Sequence, residues 1–285
     1  MSVKLLNIQD PHHPLRRYVF RKGFARKVNQ RVQQFLRRSF KDDFQDQHDL
    51  LEMLGPVTTI FDCGANIGHV TERYLELFPS AHVYAFEPNP DLVPQLTARY
   101  GAHSRVSVHG VAIGEQRGSA TFNVNSNSGV SSFLEGNDVM KQNWGPKPSR
   151  SVTVDMTTID DFAREHGIDH INILKLDVEG SEVAALRGAH ALLRQSQVDV
   201  VYTEVFIVPV YERQPLLCDL VGTMRELDYT LYNLYHFSES RIRQAMFGNA
   251  IFTSPRLRER LNAMRGVGTT GWQESRVISH DTRQE

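Results

Sequence analysis

The sequence predicts an α/β fold: a doubly wound, mostly parallel sheet with helices on both faces. Three observations carry this. Apolar runs of strand length at 57–62, 83–86, 106–109, 171–176 and 198–204 alternate with segments of helical spacing. The links between them are short, apart from one stretch at 126–149. The first run ends in an acid and a glycine turn, Asp62-Cys63-Gly64-Ala65-Asn66-Ile67-Gly68, as a strand that feeds a helix would.

Each element follows in order. A helix is expected over 45–54, stopped by Gly55-Pro56. Strand one covers 57–62. A helix follows to about Phe78, with Val70, Tyr74 and Leu77 on one side. Strand two is 83–86, then a helix over 90–100. Strand three is 106–109 and leads into Val111-Ala112-Ile113-Gly114. Residues 120–125 and 152–156 alternate like the two arms of a hairpin-like excursion. Between them, 126–149 is rich in Gly, Asn, Ser and Pro and reads as a long loop, of the kind that serves as a lid or substrate-binding element. Thr158 followed by Asp161 marks a helix start. Strand four is 171–176, followed by one helix through Leu193. Strand five is 198–204, and 229–234 and 250–252 are the last strands. The tail from about Gly266 is polar and aperiodic, and is expected to be mobile.

The glycine turn narrows the ligand. A dinucleotide fold places G-x-G-x-x-G here so that a pyrophosphate can approach the backbone. This chain has D-x-G-x-N-x-G, and a carboxylate at the strand end repels a pyrophosphate. It suits a ligand with a cationic or hydroxylated end, and S-adenosylmethionine fits with its ammonium, sulfonium and ribose. Glu87 closes strand two, 25 residues after Asp62, near the spacing at which a carboxylate accepts hydrogen bonds from ribose hydroxyls. The expected cofactor set is Asp62, Gly64, Asn66, Gly68 and Glu87, with Val111 and Ala112 near the adenine.

Further words carry a resemblance. Asn172-Ile-Leu-Lys-Leu-Asp-Val-Glu-Gly-Ser-Glu182, with Phe61-Asp-Cys-Gly-Ala-Asn-Ile-Gly68, Phe86-Glu-Pro-Asn-Pro90, Val111-Ala-Ile-Gly-Glu115, Thr157-Thr-Ile-Asp-Asp161 and Asn249-Ala-Ile-Phe252, resembles the FkbM-type methyltransferases, a branch of the class I S-adenosylmethionine-dependent enzymes. It runs from about Thr58 to Thr253. It implies a Rossmann-like sheet of seven strands, the last antiparallel, and methyl transfer to an oxygen of a carbohydrate, glycolipid or secondary metabolite. The rival from another class is a protein of this fold that binds cofactor or a membrane surface without turnover.

Composition bounds the rest. The 285 residues suffice for one α/β domain with extensions, placed at 46–255 between a basic helical extension (1–45) and a C-terminal helix with its tail (256–285). No apolar run reaches membrane-spanning length and no signal-peptide core follows Met1. Cys63 and Cys218 are isolated thiols, which indicates a reducing, cytoplasmic setting. Net charge is −1, but ten of the 32 Lys and Arg lie within 15–41, where there is no acid, so 22 face 33 acidic residues elsewhere. Phe20, Phe24, Val28 and Val32 give that segment an apolar face opposite a cationic one. It fits a brace against the acidic domain or a contact with an anionic membrane surface. Nucleic acid is not an expected partner, and the oligomeric state is not legible.

Methyl transfer to a hydroxyl needs alignment, exclusion of water, and a proton acceptor or a metal. The carboxyl ends of strands four and five put Asp177, Glu179 and Glu204 at the acceptor, with Lys175 on the same face as Asp177. A buried Lys needs a carboxylate partner, and Glu204 is one candidate. Asp177 also fits a helix cap and Glu179 a first-turn acid. Asp177 with Glu204 makes an oxygen pair for magnesium. His69, His109 and His236 are further bases. An Asn-Pro-Pro-Tyr turn, as in amino-methylating enzymes, is absent after strand four, and no Cys nucleophile lies near it.

Overall fold

The computed structural model describes residues 42–125, 128–144 and 150–264. The basic segment 15–41 and the tail after Gly266 lie outside the described residues. The chain divides at Asp46 into residues 1–46 and 47–285. Helix α1 (Asp43–Glu52) begins two residues earlier and ends just short of Gly55-Pro56.

The strands are β1 (Thr59–Cys63), β2 (His82–Phe86), β3 (Val106–His109), β4 (Ala112–Ile113), β5 (Gly118–Val124), β6 (Arg150–Thr157), β7 (Ile171–Leu176), β8 (Val198–Phe206), β9 (Thr230–Tyr235) and β10 (Phe247–Thr253). Seven of them form one sheet in the order β3-β2-β1-β7-β8-β10-β9. β1, β2, β3, β7 and β8 run parallel, and β10 is antiparallel to both β8 and β9. Every residue of β7 is buried, so its apolar run lacks the alternation of a half-exposed strand. Chain order runs outward from β1 to β3 and resumes at β7 on the other side of β1. The crevice at the carboxyl ends of β1 and β7 is therefore a topological switch point, where ligands of such sheets bind.

Successive side chains of a strand face opposite ways, and helices cover both faces. Ala85 packs with Leu96 and Tyr100 of α3 (Val93–Tyr100). Its neighbour Phe86 joins Phe61 and Phe162, the last from α5 (Ile159–Glu165), with ring centroids 4.7–5.6 Å apart. That cluster continues through α6 (Glu182–Arg187), α7 (His190–Arg194) and α8 (Leu217–Glu226). Each such ring contributes about 1.5–3 kcal/mol by burial. On α2 (His69–Leu77), Tyr74 is fully buried and its hydroxyl donates to Gln47 Oε1 at 3.1 Å.

The excursion is real. β5 and β6 pair antiparallel, and with β4 make a second, three-stranded sheet. The stretch read as a long loop holds secondary structure among its described residues. It carries a 3-10 turn at Ser128–Val130 and α4 (Asp138–Trp144), whose N-terminus is capped by Asn137 Oδ1 accepting from Val139 N and Met140 N. A satellite core of Val130, Met140, Phe206, Val210, Tyr211 and Met246 binds this region to the loop after β8.

Two other expectations need correction. The helix after β7 is not continuous to Leu193. It breaks at Gly188, where a Cβ would meet the Gly114 carbonyl oxygen at 2.1 Å. Helix α8 was not anticipated. Asp219 caps it by accepting from Leu216 N at 2.8 Å, and Leu220 and Met224 are its buried face. The last helix, α9 (Pro255–Met264), starts with Pro255 after Ser254, whose Oγ accepts from Leu257 N.

Candidate active site

A cleft of about 220 Å³ opens at the switch point. Its walls include Gly64 and Asn66 after β1, Phe86, Glu87 and Pro88 at the end of β2, Val111–Ile113, Phe122, Ser131 and Phe133 from the excursion, Asp177–Glu179 after β7, and Glu204 on β8. Eight of the eleven residues expected at the site thus line one cleft: Gly64, Asn66, Glu87, Val111, Ala112, Asp177, Glu179 and Glu204. Asp62, Gly68 and Lys175 do not line it, for reasons their contacts make plain.

Asp62 and Lys175 are register partners on β1 and β7, and both are buried. Lys175 Nζ stands 3.0 Å from Asp62 Oδ1 and donates to the carbonyl oxygens of Gly64 at 2.8 Å and Cys63 at 3.3 Å. Thr71 Oγ1 donates to the other Asp62 oxygen at 2.6 Å. Burial alone would lower the Lys175 pKa, but Asp62 and Asp177 outweigh it and hold the ammonium above its ordinary range. Lys175 therefore anchors the glycine turn from below. Its partners are Asp62 at 3.0 Å and Asp177 at 3.6 Å; no Lys175–Glu204 ion pair forms.

The two glycines are needed for different reasons. Gly64 has φ +79, and a Cβ there would lie 1.8 Å from the Asp177 carbonyl oxygen. The backbones after β1 and β7 touch at this point, with Asp177 N donating to Cys63 O at 3.1 Å. Gly68 has φ +86, and its Cβ would lie 2.4 Å from the Tyr100 ring, whose hydroxyl donates to Gly68 O. Its constraint comes from helix packing against Tyr100 and Leu96.

At the β2 end, Glu87 accepts from Asn66 N through one carboxylate oxygen and from Asn89 N through the other, both at 2.8 Å. Burial raises its pKa, and the two amide bonds act against that rise. Each oxygen keeps a lone pair for a diol. Val111, Ala112, Ile113 and Phe122 supply apolar wall.

At the opposite end, Asp177, Glu179 and Glu204 converge, each offering an oxygen within 4.8 Å of the others. Glu179 holds a left-handed backbone, φ +54, rare for a residue with a side chain. Two contacts fix it: Ser132 Oγ donates to its carbonyl at 2.6 Å, and Tyr211 OH donates to its Oε2 at 2.7 Å. Glu182 Oε1 accepts from Val178 N and Gly180 N on either side. Burial raises the Glu182 carboxyl to about 7. Burial, then Asp177, pushes Glu179 well above the usual carboxylate range; for Glu204 it is burial, then Glu179 and Asp177. Glu204 Oε2 is buried without a hydrogen-bond partner.

Thr71, Ser132, Glu182 and Tyr211 were not anticipated. Only Glu182 had a visible signal, as the last acid of the Asp177–Glu182 word. The candidate histidines stand elsewhere. His69 and His236 are exposed. His109 stacks on Phe86 and meets the Phe162 ring edge-on, and burial lowers its pKa to about 4. Cys63 is buried, and burial pushes its thiol up, as befits packing rather than reactivity.

Comparison with known proteins now decides the family. The model of the methyltransferase FkbM domain matches residues 62–231, more than half of the chain. The chain belongs to the FkbM methyltransferase family. The 2-O-methyltransferase NoeI of Sinorhizobium fredii is 29% identical over 177 residues, covering 58% of this chain and 69% of that protein. Methyltransferase 1 of Beauveria bassiana is 28% identical over 142 residues, covering 45% and 57%. Among solved structures, the magnesium protoporphyrin IX methyltransferase of Synechocystis with bound S-adenosylmethionine aligns over 89% of this chain and all of that one, at 9% identity and a TM-score of 0.41. As an FkbM-type enzyme this is an S-adenosylmethionine-dependent methyltransferase, and the cleft's donor set fits that cofactor: a buried acid with free lone pairs, a glycine turn that admits no Cβ, and an apolar wall. No described helix is long and apolar enough to cross a membrane.

Proposed function

We propose that this FkbM enzyme transfers a methyl group from S-adenosylmethionine to a hydroxyl oxygen of a carbohydrate, glycolipid or secondary metabolite. The observation that carries the reading is the division of one cleft into two ends: Glu87 with the glycine turn at one, the Asp177–Glu179–Glu204 cluster at the other. The name of the Sinorhizobium relative, a 2-O-methyltransferase, supports oxygen as the acceptor atom.

The cofactor supplies an activated methyl group on sulfur. Glu87 would accept hydrogen bonds from its ribose, with Gly64 and Asn66 bordering it and Val111 and Ala112 beside its adenine. Lys175 and Asp62 act beneath, holding the turn in shape. The acceptor hydroxyl faces the cluster. An O–CH3 bond forms as the S–CH3 bond breaks, and the hydroxyl proton leaves to a carboxylate of the cluster. Asp177 is the most open of the three, its side chain 44% exposed, and is the proton's first destination.

Mass spectrometry of glycans and metabolites from cells with and without the protein tests this. The reading expects one species to lose 14 mass units and an O-methyl group. Identical profiles, with cofactor binding intact, would instead indicate a protein that binds the cofactor without turnover.

A further inference from the structure

We propose that Asp177, Glu179 and Glu204 together hold one divalent, oxygen-seeking cation at the acceptor end of the cleft. The inference deepens the reading of this cluster as the acceptor end and rests on it.

Charge is the first argument. Four carboxylates, Asp62, Asp177, Glu179 and Glu204, share a single ammonium, Lys175. That ammonium is committed to Asp62 and to the carbonyls of Cys63 and Gly64, and reaches only Asp177 among the cluster, at 3.6 Å. No Lys or Arg lines the cleft among the described residues. Glu179 and Glu204 thus face each other with no cation in the cleft lining, so holding both in their ionised form at a site withdrawn from water needs added positive charge.

The second argument is independent of the cluster's charge. Glu204 Oε2 is buried with no hydrogen-bond partner, in a side chain that lines the cleft beside the other two acids. Buried polar atoms are paired in nearly every case, so an orphaned carboxylate oxygen points to a group that completes it. A water would satisfy one oxygen and leave the repulsion unrelieved.

Distance is the third. The three oxygens lie within 4.8 Å of one another. Opposite ligands of one magnesium or manganese ion stand about 4.2 Å apart and those of calcium about 5 Å. One ion therefore bridges the set with little adjustment. Three carboxylates leave several coordination positions for water or for acceptor hydroxyls, as an ion that must activate a substrate requires. Tyr211 has a defined part here. Its hydroxyl occupies Glu179 Oε2, which presents Oε1 to the ion, and Ser132 fixes the same residue through its carbonyl. Tyr211 is a positioning residue and makes no contact with the ion.

The test uses the full chain, stripped with EDTA and titrated with manganese alone, read by the loss of the free-ion electron paramagnetic resonance signal. The expected result is one bound manganese per chain, displaced by magnesium. Glu204→Gln should weaken binding by at least about tenfold, and Tyr211→Phe, which keeps the ring packing, by about tenfold through the second layer of contacts. Calorimetric binding of S-adenosylhomocysteine confirms that each variant is folded. Absence of bound manganese at millimolar concentration, or wild-type affinity in both variants, would overturn the inference. Methyl transfer by an enzyme that binds no metal would remove the ion while leaving the proposed reaction in place. Metal binding without any O-methylated product would do the reverse.

Discussion

Lys175 and Asp62 are a buried ion pair, 3.0 Å apart across the first two strands on either side of the switch point. The pair ties β7 to the glycine turn after β1, because the same ammonium takes the Gly64 and Cys63 carbonyls. A motif spacing of 113 residues in sequence becomes one contact in space.

Lys175→Met should therefore do more than remove a charge near the reaction. It leaves Asp62 buried and uncompensated, at a cost of about 3–5 kcal/mol. It also frees the glycine turn, so affinity for S-adenosylhomocysteine falls. Urea denaturation and calorimetry measure the two effects. Adding Asp62→Leu should recover part of the stability but not the affinity. Unchanged stability in Lys175→Met would show that the pair contributes little.

Gly64→Ala should be more damaging than its size suggests. The methyl group would sit 1.8 Å from the Asp177 carbonyl oxygen, and the residue would be held at φ +79. A loss above about 4 kcal/mol, with abolished cofactor binding, is the expected outcome. Gly68→Val should also fail, but by displacing Tyr100 from its packing. A thermal melt separates the cases from a pure binding defect: a Gly68→Val protein that melts like wild type yet binds no cofactor would show that Gly68 borders the cofactor directly.

The amino ends of β7 and β8 carry a pH-dependent contact. His170 Nε2 lies 2.8 Å from Asp199 Oδ2, which also accepts from Asn172 Nδ2. The hydrogen bond to Asp199 raises the histidine above its ordinary value, against the opposing effect of burial. A raised folded-state pKa stabilises fully below the unfolded value of about 6.5, and that contribution disappears as pH rises through the folded value. Urea midpoints of wild type and His170→Gln should differ most near pH 5.5 and converge by about pH 8.5. Parallel curves over that range would refute the assignment.

Much of this was legible in advance. Strands β3 and β7 fall where their apolar runs place them, and the first five strands of the main sheet were all foreseen because β-branched and aromatic runs bounded by turns are strong local signals. Local signals do not report register. Nothing in the sequence says that Lys175 lies opposite Asp62, so Glu204 was an equal candidate partner. Likewise the turn's composition marked Gly68 as constrained without revealing that Tyr100 is what constrains it. Tyr211 and Ser132 were invisible for the same reason: each reaches Glu179 from a loop far away in sequence, 32 and 47 residues distant. Helix α8 was the avoidable omission, since Leu217, Leu220, Met224 and Leu227 have helical spacing behind an Asp219 cap.

The most direct test of the account is the turnover of Asp177→Asn in an assay that follows labelled methyl from S-adenosylmethionine into an acceptor pool. Asparagine keeps the shape and removes the charge. The account predicts a loss of about two to four orders of magnitude, the usual worth of a positioned proton acceptor, with S-adenosylhomocysteine affinity nearly unchanged, because Glu87 and the glycine turn stand at the other end of the cleft. A fully active Asp177→Asn enzyme would contradict the assignment and leave Asp177 as a structural contact of Lys175.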